Sequence, residues 1–143
     1  RFSDATGRQV VSTSTATTVG TVGDFVVDPR RHAVLAVQLK KSQAGDTLLW
    51  ADITAFGDDA VTVSGADTIR AAAPDVAALA GKKHRVIGKR TLLTTGDDLG
   101  QLADVEFDPA TGIITELVLQ QNGRIEGVRL VGIGSYAVVV QAQ

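Results

Sequence analysis

The sequence predicts a mainly β protein: two small barrel-like modules in tandem, joined by a short helical linker. Three observations carry that expectation. An internal repeat runs at an offset of 80 residues, each copy shows period-two hydrophobic patterning, and the composition suits short strands and tight turns.

The repeat is clearest around one strand pair. Gly20, Asp24, Asp28 and Pro29 recur as Gly100, Asp104, Asp108 and Pro109, with Val19 and Val22 answered by Leu99 and Leu102. The same offset sets Val34, Val37 and Leu39 over Ile114, Leu117 and Leu119, and Ile53 over Ile133. Upstream, Gly7-Arg8-Gln9-Val10-Val11 resembles Gly88-Lys89-Arg90-Thr91-Leu92 after a shift of one residue. Downstream, Phe56 is set against Tyr136, Trp50 against Leu130, and residues 61–63 against 138–140 after a small gap. An Asp-Pro pair could recur by chance; hydrophobic positions that stay in phase from Val19 to Leu39 are poorly explained that way.

Each copy reads as β. Gly23, Phe25 and Val27 alternate with Asp24, Val26 and Asp28, and Ala103, Val105 and Phe107 alternate with Asp104, Glu106 and Asp108. A half-buried strand would turn the first set of each inward and the second outward. Asp28-Pro29 and Asp108-Pro109 then open turns, proline presetting the backbone and aspartate accepting amides ahead of it. Strands are expected at 33–40 and 113–120, completing a hairpin in each copy. Further strands are expected at 47–50, 60–63, 124–130 and 136–140, separated by glycine-containing turn signals. Short strands so spaced favour a small closed or nearly closed barrel.

Between the copies Asp67 suits a helix N-cap, Pro74 a first helical position and Gly81 a C-terminal cap. The alanine-rich stretch 75–80 is the chain's one helix signal, too short to be stable alone and expected to pack on a barrel. The organisation is therefore a first module at 1–68, a linker at 69–85 and a second module at 86–143. Modules of about 60 to 70 residues are marginal by themselves, so these two should pack together or pair with another chain.

The chain has 143 residues, 44% of them hydrophobic and 4% aromatic, with 15 Gly, three Pro and no Cys. Valine, alanine, leucine and isoleucine must fill the core. The missing cysteines exclude disulfides, thiolate metal sites and cysteine nucleophiles, and suit a cytoplasmic setting. The net charge is −2, and the halves divided after Ala71 each hold seven Lys/Arg and eight Asp/Glu. Neither half carries the basic excess of a nucleic-acid-binding domain. No apolar run reaches the roughly 20 residues that would cross a bilayer, and none follows the opening Arg1-Phe2-Ser3-Asp4 as a signal segment would.

Taken together, these residues resemble the PRC-barrel family, the small β-barrel of the photosynthetic reaction centre H subunit and of the C-terminal part of a ribosome maturation factor. The resemblance rests on a leading Gly-Lys/Arg, then Gly-x-Val/Leu-x-Asp, an apolar strand, Asp-Pro and a second apolar strand. Gly88-Lys89-Arg90, residues 98–104, Asp108-Pro109 and 114–119 form the clearer copy, and 131–133 fits a further strand. The first copy departs from it in the Ser/Thr-rich stretch 12–18. The resemblance implies two PRC-type barrels acting as a non-enzymatic interaction module without cofactor. The reaction-centre subunit caps a membrane complex and influences proton and electron transfer; the maturation factor's barrel helps a ribosomal protein assemble. Neither partner is expected to carry over, because the 143 residues show no counterpart of that membrane anchor or companion domain.

Little in the chain points to chemistry. His32 and His84 lie apart, and the doublets Asp58-Asp59 and Asp97-Asp98 follow glycines in the manner of turns, not of a calcium loop. Nothing resembles a nucleophile elbow. Gly20-Thr21-Val22-Gly23 and Gly132-Ile133-Gly134 are too short for a phosphate cradle and read as barrel-corner glycines.

Two features could hold a partner. Lys82, Lys83, Arg85, Lys89 and Arg90 fall within nine positions free of acids; they form either a docking patch for an anionic surface or a solvated helix end. Trp50 could anchor a partner if exposed, or fill the core. The expected function is an adaptor or assembly protein that binds a protein partner, with self-association as a possible homodimer. The alternatives are a small molecule or ion bound between the barrels, or a ribosome- or RNA-associated factor using the basic linker, whose binding would fall steeply with salt.

Overall fold

The computed structural model describes residues 1–81, 84–121 and 123–142. The first half forms α1 (Phe2–Ala5), β1 (Gln9–Ser12), β2 (Thr17–Asp28), β3 (Ala33–Lys40), β4 (Thr47–Leu49), β5 (Ala55–Phe56) and β6 (Ala60–Val63). A one-turn helix α2 (Pro74–Ala77) follows. The second half repeats the strands as β7 (Arg90–Leu93), β8 (Asp98–Phe107), β9 (Ile114–Leu119), β10 (Gly123–Glu126), β11 (Leu130–Ile133) and β12 (Ala137–Val140). The sheet orders are β4-β3-β2-β1-β6-β5 and β10-β9-β8-β7-β12-β11, the same order in both halves.

The duplication extends to irregularities. β1 and β7 each run parallel to the last strand of their sheet, in an otherwise antiparallel module. Bulges interrupt β2 against β3 at Val22/Asp24 and Val26/Val27, and β8 against β9 at Leu102/Asp104 and Glu106/Phe107. A bulge adds a residue to one strand and bends it, so the long strands β2 and β8 curl around their own cores. The expected offset of 80 holds only as far as β3. The β3–β4 loop spans 41–46, but its counterpart spans 120–122, and beyond it Leu48 answers to Ile125 and Val61 to Val138, an offset of 77. Phe56 therefore corresponds to Ile133 and Trp50 to Gly127, not to Tyr136 and Leu130.

The bulges also overturn the simple inward–outward reading of β2 and β8. Val26, expected outside, is 1% exposed and packs with Ala36 beneath Val76 of α2. Asp104, expected in solvent, is 7% exposed. Val27 points not into its own module but into the core of the second, among Leu102, Val105, Ile114 and Leu117. Phe107, its counterpart, makes the reverse crossing. The expected strand 124–130 is two strands separated by a 3-10 turn at Gly127–Arg129, and the expected helix 75–80 is the shorter α2. The linker nonetheless packs on a module, as expected of so short a helix: Arg70 exchanges backbone bonds with Thr47 at 2.9 and 3.0 Å.

The halves meet around an approximate two-fold axis. Val34 N–H donates to Gly112 O and Ile114 N–H donates to His32 O, each at 2.8 Å, so the Asp-Pro hairpins clasp one another through equivalent residues. Five of the six aromatic residues gather beside this clasp. Phe107 is their hub, with ring centroids 5.6 Å from Phe2, 5.7 Å from Phe25, 5.9 Å from Trp50 and 5.4 Å from Phe56. All four partners come from the first 56 residues. The contacts with Trp50 and Phe56 are edge-on, and such contacts add stability beyond their buried area.

Candidate functional site

The leading segment of each half reaches across to the other. Ser3 N–H donates to Asp104 Oδ1 at 3.2 Å and Ser3 Oγ donates to its second oxygen, while Arg1 Nε meets Glu106 at 2.9 Å. In return Arg85 Nη2 donates to Asp24 Oδ2 at 2.8 Å, Asp24 being the repeat counterpart of Asp104. Between these crossings lies a cleft of about 360 Å³, lined by residues that include Phe2, Thr6, Phe25, Val86, Ile87 and Ala103. Its wall is mainly apolar, with the Asp24–Arg85 pair at the rim.

The structure gives the described members of the basic cluster local partners. Lys89 Nζ donates to Gly134 O at 2.7 Å, and its counterpart Arg8 donates to the equivalent Gly57 O at 2.9 Å. Both cations thus hold the turn before the last strand of their sheet. Partial burial of Lys89, followed by the nearby Arg85 charge, lowers its pKa. Arg90 Nη1 donates to Asp98 at 2.7 Å, where the first half has Thr18 donating to Gln9 at 2.9 Å. Lys82 and Lys83 lie outside the described residues. Arg85, Lys89 and Arg90 are therefore brought together along the chain, yet each is engaged in holding a module or the pair of modules.

Trp50 is half-buried. Its ring stacks on Phe56 at 5.3 Å and covers Gly112 of the opposite hairpin. Gly112 has φ +79, and a Cβ there would lie 2.8 Å from the indole, so the tip admits only glycine for two independent reasons. The indole belongs to the contact between modules. The doublet Asp97-Asp98 behaves as turn residues: Asp98 accepts Gly100 N–H at 2.8 Å, and Asp97 accepts the Thr95 hydroxyl at 2.7 Å. No group of three or more His, Asp or Glu able to hold a metal occurs among the described residues. No helix among them is long and apolar enough to cross a membrane.

A surface not foreseen lies at the outer corner of the second half. Val128 is 64% exposed, Val131 49% and Tyr136 71%, on the 3-10 turn, on β11 and on the turn after it. Their counterparts in the first half, at the corrected offset of 77, are Ala51, Thr54 and Asp59. The contrast was present in the sequence but hidden by the alignment of Tyr136 with Phe56. No family model matches the chain, and no curated protein matches it.

Proposed function

We propose that the protein is a non-enzymatic adaptor or assembly factor, built of two PRC-barrel-like modules, that binds a protein partner through the outer corner of its second half. The observation that carries this reading is the asymmetry of the repeat. The clustered aromatics join the modules to one another, whereas Val128, Val131 and Tyr136 face solvent where the first half bears alanine, threonine and aspartate. Exposed aromatic and aliphatic side chains on one member of a duplicated pair fit a binding surface better than a folding need. The domain boundaries 1–68, 69–85 and 86–143 belong to the same proposal, as does the absence of a cofactor.

Replacing the three residues by their first-half counterparts (Val128→Ala, Val131→Thr and Tyr136→Asp) tests it by affinity capture from native lysate. The reading expects the specific partner to be lost while the thermal midpoint is kept. Capture of the same partner by the triple variant would contradict it.

The cleft favours a second reading, in which a small molecule with an apolar body and one polar group binds between the modules. Sites often occupy such interfaces. A thermal-shift screen of metabolites separates the two, since a rise abolished by Ala103→Leu would place the ligand in the cleft.

A further inference from the structure

The outer face of β8, β9 and β10 carries a row of like charges. Glu106 lies directly opposite Glu116, and Glu116 directly opposite Glu126. The first half has Val26, Ala36 and Leu49 in these places, covered by the linker residue Val76. Carboxylates facing one another across strands repel. Arg124 relieves the inner two, donating to Glu106 at 3.0 Å and to Glu116 at 3.1 Å, and Arg1 joins at Glu106. Glu126 ends the row at the sheet edge with no cationic partner among the described residues.

The backbone of that edge is open as well. On β4, Thr47 directs its N–H and C=O away from β3, and Arg70 closes both. Arg124 is the counterpart of Thr47, so the same register turns the N–H and C=O of Arg124 and the N–H of Glu126 away from β9. The Glu126 C=O, at the N-cap of the 3-10 turn, takes that turn's first N–H and keeps one lone pair free. Among the described residues no strand pairs with β10 on that side.

We infer that β10 pairs antiparallel with β10 of a second copy of this chain, with the two Ile125 residues facing each other across the dyad. That register sets Arg124 of each copy opposite Glu126 of the other. Arg124 of one copy and Glu126 of the other thereby exchange N–H to C=O bonds in both directions, as in a hydrogen-bonded antiparallel pair, with the Glu126 carbonyl using its second lone pair. Each unpartnered Glu126 gains a guanidinium across the new strand pair. The β8-β9-β10 sheet becomes continuous between copies, the isologous arrangement expected of a symmetric dimer, and the self-complementary order Arg124-Ile125-Glu126 selects a second copy over an unrelated strand. This pairing uses a different edge from the corner formed by Val128, Val131 and Tyr136, and does not depend on the adaptor reading.

Sedimentation equilibrium of the whole chain over a wide concentration range tests it. Wild type should move from monomer to twice that mass, and added salt should weaken the association. Glu126→Arg sets arginine opposite Arg124 and should weaken association by roughly tenfold or more. Glu126→Pro removes only the outward N–H at a residue whose φ of −60 already suits proline, and should abolish the dimer while far-ultraviolet circular dichroism stays that of wild type. A wild type that remains monomeric throughout would overturn the inference, and so would a Glu126→Arg variant that dimerises as tightly as wild type.

Discussion

Thr91 shows how finely the two halves differ. Its counterpart Val10 sits in the first core at 0% exposure, and Thr91 is equally buried, yet its Oγ1 has no hydrogen-bond partner. A buried hydroxyl left unpaired costs about 1 to 3 kcal/mol. Valine has nearly the same shape and is already accepted at the equivalent place. Thr91→Val should therefore stabilise the protein by roughly 1 kcal/mol, read as a higher denaturant midpoint with unchanged slope. Glu106 makes a second residue-scale case. The hydrogen bond from Arg1 holds its carboxyl below the usual glutamate range, aided by the charges of Arg124 and Arg1. Because the folded pKa lies below the unfolded one, the stabilisation is present above the ordinary glutamate pKa and is lost as pH falls through the folded value. The side chain is 27% exposed, so solvent weakens the effect. Thermal midpoints measured down into acid should fall more steeply for wild type than for Glu106→Gln, and equal slopes would count against the Arg1 contact.

At the level of elements, patterning and punctuation located much of the structure. The strand 33–40 and the strand 60–63 stand where alternation and turn residues put them, and both Asp-Pro turns form with the aspartate accepting an amide two residues on, at 3.0 Å for Asp28 and 2.8 Å for Asp108. What escaped was tertiary in origin. Nothing in the opening residues 1–5 signals a helix, because α1 is held by Phe2 stacking on Phe25 at 4.0 Å and by Ser3 on Asp104. Val26 reads as outward until the linker covers it. The strand expected over 124–130 breaks at a 3-10 turn that the first half repeats at Trp50–Asp52, and at Gly127 a Cβ would fall 2.0 Å from Ile114 O, a close approach invisible to local pattern. Of the candidate site, Trp50 and the basic cluster were visible as residue types, but their partners were not. The outer corner needed the loop of 41–46 to be recognised as longer than its counterpart.

Across the whole molecule, the two sheets behave as halves of a pseudo-symmetric pair and not as independent beads. Each lends the other a side chain: Val27 enters the second core, and Phe107 lies among the rings of the first. The clasped hairpins and the crossing leading segments tie one half to the other. Modules of this size bury too little surface to be robust separately, so their stability should be shared. Differential scanning calorimetry measures that sharing directly. The account predicts one transition whose calorimetric enthalpy equals its van't Hoff enthalpy; two resolved transitions, one for each half, would contradict it.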